Sequence, residues 1–321
     1  MTQGAPRLSI VITTVSGAAH LEDCLNALYA QQDHPAADNE IIVPYDRHDD
    51  AIAALATRHP AVLFHPLELT VHGPRGLCHE HFDQLRATGL ALAHGEIVAL
   101  LEDHERPHPR WCRTLLEKLA AGHAAVGGAV ENDINRALNH ATWFLDFGRY
   151  QNPLPEGPSR FLTDVNIAYR RSTLERIRAV WEHGFNEPDV HGRLLADGET
   201  LWMSPEVIVY QHRSGLTLKQ VMRERFVWGR YFAGNRVRGR STASRLLFSL
   251  ATLAVPGIIL LKKTRDVLQK KRLRLTFLRA LPCLLLLTLG WSAGELTGYL
   301  SGRASNYERR AAGNSATGIP D

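Results

Sequence analysis

Ile97-Val98-Ala99-Leu100-Leu101 is an unbroken apolar run, short and rich in branched residues, that passes without a spacer into Glu102-Asp103-His104-Glu105. A run of this length fits a strand covered on both faces, which a parallel sheet with helices on each side provides. Such a strand releases the chain at its carboxyl end, where open α/β sheets bind ligands. Glu102, Asp103 and His104 stand at that end, and all three are able to hold a divalent cation. An acidic, solvated turn would look the same, so context must decide.

The context is an alternation of strand and helix patterns. Leu8–Val15 reads as a first strand, Leu21, Leu25 and Leu28 mark a helix ending near Gln31, and Glu40–Pro44 reads as a second strand. A short helix to Arg58 and a strand from Ala61 to His65 follow. His72-Gly73-Pro74-Arg75-Gly76 opens a helix from about Cys78 to Ala93, and the run into Glu102 comes next. This order implies an α/β fold with a mostly parallel sheet between helices. Beyond Trp111 the pattern predicts a helix to Ala121, a strand over Ala124–Val130, and a strand over Asp164–Tyr169. Ser172 is placed to cap a helix to Val180, and Thr200–Met203 and Val207–Tyr210 read as two short strands. The Pro/Gly-rich stretch Asn152–Ser159 reads as a mobile loop over the sheet edge.

Charge divides the chain. Residues 1–218 hold 18 Lys+Arg against 28 Asp+Glu, a net of −10, and residues 219–321 hold 19 against 5, a net of +14. From Thr217 a basic amphipathic helix runs to about Gly234, followed by apolar runs over Leu246–Leu261 and Ala280–Trp291. Both runs are shorter than the roughly 20 residues of a spanning helix, which favours interfacial or re-entrant segments. The linker Lys262–Arg274 carries seven basic residues and is expected to stay cytoplasmic. Cationic residues interleaved with apolar runs point to anionic membrane lipid and not to nucleic acid. Four cysteines without a CxxC pair indicate neither a disulfide framework nor a zinc knuckle. No basic segment with an apolar core opens the chain, so a cleaved secretion signal is not expected.

Three motifs are excluded. His104-Glu105-Arg106-Pro107-His108 matches HExxH as a string, but Pro107 breaks the helix that motif requires. GxGxxG after the first strand and GxxxxGK[ST] are both missing.

The remaining pieces resemble, in order, a family 2 glycosyltransferase of the GT-A fold over about residues 7–235. Leu8–Thr14 is similar to the family's opening nucleotide-binding strand, and Glu40–Asp46 to its second strand, with Tyr45 in place of the first of two aspartates. Arg86–Val98 resembles the approach to the family's metal motif, and Glu102-Asp103-His104 occupies its DxD position with histidine replacing an aspartate. Glu187-Pro188-Asp189-Val190-His191-Gly192-Arg193-Leu194 resembles the segment that carries the general base, a register that selects Glu187 with Asp189 as the alternative; a helix cap is the plainer reading. His212 resembles a histidine that reaches the diphosphate or metal, and Gln220–Glu224 partly resembles QxxRW without its tryptophan.

The resemblance implies an enzyme that transfers a sugar from a nucleotide-diphosphate sugar, UDP-linked before others, to a glycan or lipid-linked acceptor with inversion. Thr13, Asp46, Arg86, Asp103 and His212 would bind the donor, and Glu102 and His104 would hold Mn²⁺ or Mg²⁺. Residues 1–235 would form the catalytic domain, 236–304 a membrane-associated region and 305–321 a loose tail, at the cytoplasmic face of the plasma membrane. The alternative is an inactive GT-A-like membrane scaffold.

Overall fold

The computed structural model describes residues 7–32, 38–71 and 76–304, so His72–Arg75 of the Gly/Pro loop and the tail from Ser305 lie outside the described residues. The amino-terminal part alternates β1 (Leu8–Thr13), α1 (Ala18–Tyr29), β2 (Asn39–Asp46), α2 (Asp50–Ala56), β3 (Leu63–Leu67), α3 (His79–Leu92) and β4 (Ile97–Glu102). Then come β5 (Glu105–Pro107), α4 (Trp111–Ala120), β6 (Ala125–Asn132), α5 (Ala137–Phe147), β7 (Gly157–Pro158) and β8 (Asn166–Arg170). They are followed by α6 (Arg171–Arg176), α7 (Arg178–Trp181), α8 (Glu187–Ala196) and β9 (Leu201–Gln211). The carboxyl-terminal part is helical: α9 (Leu218–Arg236), α10 (Thr242–Ala251), α11 (Val255–Lys270) and α12 (Arg274–Ser301).

One sheet runs in the order β3-β2-β1-β4-β8-β6-β9-β5, with β7 added along β9. β1 pairs in parallel with β2 on one side and β4 on the other, so the chain changes direction across the sheet at β1. Both strands are buried along their whole length, as their branched apolar residues demand. Thr13 pairs with Glu102, and the Asp103 amide donates to the Thr13 carbonyl at 3.0 Å. The carboxyl ends of β1 and β4 therefore open at one place, the crevice where such sheets bind ligands.

Several expectations change. Thr200–Met203 and Val207–Tyr210 are one strand, interrupted where its register on β6 slips between Ser204 and Ile208; Pro205 has no amide to give the ladder. Asn152–Ser159 is pinned to β9: Gly157 pairs with Met203 and the Asn152 side chain donates to the Pro205 carbonyl at 2.9 Å. Ser172 lies inside α6, whose start has no side-chain cap. Pro107 sits in a strand, in keeping with the exclusion of HExxH. α5, over a stretch for which the sequence pattern predicts no element, lies between β6 and β7.

The apolar runs are also longer as helices than as strings. Thr242–Lys270 and Arg274–Ser301 span 29 and 28 residues, long and apolar enough to cross a membrane. Counting uninterrupted apolar residues stops at Lys262 and Arg279, whereas helices continue through them. α12 lays one face along α5 and α9; a Cβ at Gly294 would fall on the Phe226 carbonyl oxygen, so the two backbones meet with no side chain between them.

Candidate active site

Of the four successive residues at the end of β4, three converge and one turns away. Glu102 ends the strand, and Glu105 begins β5, fixed by its pairing with Gln211 of β9. His104 lies in the turn between them, with Nε2 3.5 Å from a carboxyl oxygen of Glu102 and 3.5 Å from one of Glu105. Donor atoms of Glu102, His104 and Glu105 all lie within 4.8 Å of one another, and all three residues are buried. Asp103 turns the opposite way. Its Oδ2 accepts from the amides of Val15, Ser16 and Gly17 at 2.8, 2.7 and 3.0 Å, holding the loop after β1.

Neither carboxyl oxygen of Glu105 has a hydrogen-bond partner, although the residue is fully buried. Such a carboxylate is costly unless a cation meets it. Burial pushes its carboxyl up to about 8 against the pull of His104, and burial raises Glu102 against His104 and Arg86. His104 is drawn down by burial, but its contact with Asp103 and the charges of Glu105 and Glu102 outweigh that and raise it. Ser16 Oγ lies 2.9 Å from His104 Nδ1, which leaves Nε2 turned to the carboxylates. Two carboxylates and an imidazole in this arrangement fit a divalent cation such as Mn²⁺; Mg²⁺ favours an all-oxygen set more strongly.

Behind this cluster Arg86 of α3 bridges two carboxylates, donating to Glu102 at 2.7 Å and pairing with Asp164 at 2.8 Å. Burial opposes its charge, but Asp164 and Glu102 outweigh burial and keep it protonated. The Asp164 amide in turn donates to Glu187 at 3.1 Å. Glu187 opens α8, where Asn186 supplies the cap to the Asp189 amide. Burial pushes the Glu187 carboxyl up to about 8, and the nearby Asp164 carboxylate adds to it. His191, one turn on, has Nδ1 3.6 Å from Glu187 and Nε2 2.9 Å from the Tyr169 hydroxyl. Burial takes His191 down to about 4, so it stays a neutral imidazole.

A cleft of about 520 Å³ opens here, walled by Glu102, His104, Arg86 and Asp164 on the sheet side. Gln220, Glu224 and Trp228, four residues apart on α9, form the opposite wall. Arg213, half-buried and also lining the cleft, makes a bidentate pair with Glu224 at 2.7 and 3.1 Å.

The cleft thus gathers Glu102, His104 and Arg86 of the residues expected from sequence. Glu187 joins through Asp164, whereas Asp189 is exposed. Thr13 is buried and does not line the cleft, and its hydroxyl has no hydrogen-bond partner. Asp46 ends β2, and its carboxylate accepts from the His48 amide at 3.1 Å. The His212 ring bonds Asp133 at 2.8 Å while its neighbours Gln211 and Arg213 line the cleft. Sequence reasoning missed Glu105, Asp164, Arg213 and Glu224 as site residues. Glu105 was visible only inside the rejected HExxH string, and Glu224 only inside the incomplete QxxRW.

Comparisons with known proteins bear on the family and the fold. The family model for Glycosyl transferase family 2 matches residues 9–178. Glycosyltransferase AglE of Haloferax volcanii is 24% identical over 211 residues, which cover 65% of this chain and 67% of that protein. The solved structure of the mannosyltransferase PcManGT from Pyrobaculum calidifontis, in complex with GDP-Man and Mn²⁺, superposes with a TM-score of 0.51 at 18% identity. The superposition covers 92% of this chain and 88% of that one and speaks to the GT-A fold.

Proposed function

The chain belongs to glycosyl transferase family 2, and from that premise we propose a metal-assisted, inverting transfer of a sugar from a nucleotide-diphosphate sugar to an acceptor hydroxyl at a membrane surface. The observation that carries this reading is the buried Glu102–His104–Glu105 cluster, in which neither Glu105 oxygen is hydrogen-bonded and of which Glu102 and His104 wall the cleft. Glu102, His104 and Glu105 would hold Mn²⁺ or Mg²⁺. The bound cation would offset charge on the diphosphate as it leaves.

Glu187 is the base in this reading. An acceptor hydroxyl is a weak nucleophile near neutrality, and a carboxylate within reach takes its proton as the bond to the anomeric carbon forms and the bond to the diphosphate oxygen breaks. The pull of burial toward a carboxyl pKa of about 8 makes Glu187 a stronger base once deprotonated. Arg86 keeps Glu102 and Asp164 in place, and the Asp164 amide aims Glu187. Asp103 acts on the donor through the Val15–Gly17 loop that it shapes.

UDP-sugars are the first donors to test, with GDP-mannose beside them because the solved neighbour holds it. Exposed leucines on α10 to α12 and the basic excess of residues 219–321 favour a lipid-linked acceptor at the cytoplasmic face of an anionic membrane. The test is thermal shift of the full chain with nucleoside diphosphates and Mn²⁺, Mg²⁺ or EDTA. A metal-dependent shift should vanish in Glu105→Gln and survive in Glu187→Gln. Absence of a shift with every nucleotide would refute the donor site.

A further inference from the structure

We infer that the two long apolar helical segments, although each could cross a bilayer, lie together in one leaflet as a platform that does not cross it. The inference rests on the membrane-surface reading above and concerns how that surface is met. The deciding feature is the turn between α11 and α12. In a hairpin of two spans this turn would emerge on the far side from the catalytic body. Instead Arg272 in the turn pairs with Glu131 of β6 at 2.6 Å and donates to the Asn152 carbonyl at 2.9 Å. Lys263 and Lys270 of α11 donate to the carbonyls of Leu145 and Arg149 at 2.8 and 3.0 Å.

The other end of the helices is held as well. Arg245 of α10 donates to the Tyr299 carbonyl of α12 at 2.9 Å. Gly294 and Gly298 of α12 abut the backbone at Phe226 and Arg230 of α9, so the two helices run parallel. α9 carries Arg223, Glu224, Arg225 and Arg230. A spanning α12 would draw that charged helix into hydrocarbon, at a cost of several kcal/mol per charge by insertion scales.

The outward surface suits a leaflet. Leu278, Leu285, Leu289, Leu296 and Leu300 recur at spacings of four and seven along the face of α12 turned away from α9, and all are exposed. On the α10–α11 segment Leu250, Leu253 and Leu261 are 69%, 82% and 73% exposed, unlike those of a soluble surface helix. Exposed Lys262, Arg265, Lys271, Arg274 and Arg279 border this surface, matching anionic lipid headgroups. α9 presents Gln220, Glu224 and Trp228 to the cleft and Phe226 and Arg230 to α12. A single helix, roughly 8–10 Å between axes, therefore separates the cleft from the platform, close enough for an acceptor whose lipid end stays in the leaflet.

The experiment uses the full chain in a Cys283→Ser background, with Lys271→Cys, Ser301→Cys or Glu182→Cys, in sealed, uniformly oriented membrane vesicles treated with an impermeant maleimide. All three cysteines should label from the same side. Labelling from opposite sides would overturn the platform while leaving membrane attachment standing. In parallel, the unlabelled chain is floated with phosphatidylcholine vesicles containing phosphatidylglycerol, beside Leu250→Glu/Leu253→Glu. Bound protein should fall at least about tenfold in the double variant, with donor hydrolysis retained. Failure of the wild-type chain to float would overturn both the platform and the membrane reading.

Discussion

The cleft and the helical platform depart from ordinary burial in opposite senses. At the end of β4 the chain buries four charged or ionisable groups in sequence, Glu102 to Glu105. On α10 to α12 it exposes leucines that a soluble domain would cover. In the cleft, burial makes charge expensive and therefore chemically useful, because an unpartnered carboxylate seeks a cation or a proton. On the platform, exposure leaves apolar area that only another apolar phase can cover. α9 joins the two regions, carrying polar residues toward one and backbone toward the other.

The comparison can be broken most severely at Glu187. Glu187→Gln keeps shape but removes the carboxylate proposed as the base, and on that proposal turnover should fall by about 10²–10⁴ with donor binding unchanged, measured by initial rates and thermal shift. The rate of the wild-type enzyme should rise with pH and level off above about 8, where the Glu187 carboxyl loses its proton. Stability runs the other way. A carboxyl raised in the folded state holds a proton that the unfolded state gives up, so this group loses stability for the fold as pH rises from its ordinary value near 4.5 toward 8. Glu187→Gln should therefore gain Tm relative to wild type as pH rises across that window; an unchanged difference would mean that the carboxyl is not raised.

Arg86→Met tests whether cleft charge is held by pairing. It leaves the buried Glu102 and the half-buried Asp164 without their cation, and should destabilise by about 3–5 kcal/mol in denaturant titrations. Gly294→Leu sharpens the platform side. A side chain there must push α12 off the Phe226 carbonyl, costing about 1–3 kcal/mol and lowering Tm without changing the ordinary pH dependence of turnover. The smallest effect belongs to Arg193. It matches the motif that marked the base, yet it is exposed and paired with Asp197 one turn away, so Arg193→Ala should change stability by less than about 1 kcal/mol.

What the sequence by itself determined was local and ordered. The apolar run ending at Glu102 predicts a buried strand with a ligand at its end, and the structure has both β4 and the cleft there. Thr217 predicts the start of α9 and caps it, with Gln220 completing the capping box. The order of weak motifs from Leu8 to Arg193 carried the family, because spacing along a chain survives when single residues change.

Tertiary structure decided which neighbours in sequence act together. Asp103 sits between two members of the cation cluster but turns to the amides of Val15–Gly17, since the strand ends there and successive side chains diverge. Glu105 joins the cluster only because β9 pairs with β5 from more than a hundred residues away. Arg86 meets Asp164, and Arg213 meets Glu224, through packing that no local pattern encodes. Hydropathy likewise measured how apolar α12 is, not where its ends are tied. Charge state and membrane geometry both depend on burial, and burial is a property of the assembled chain.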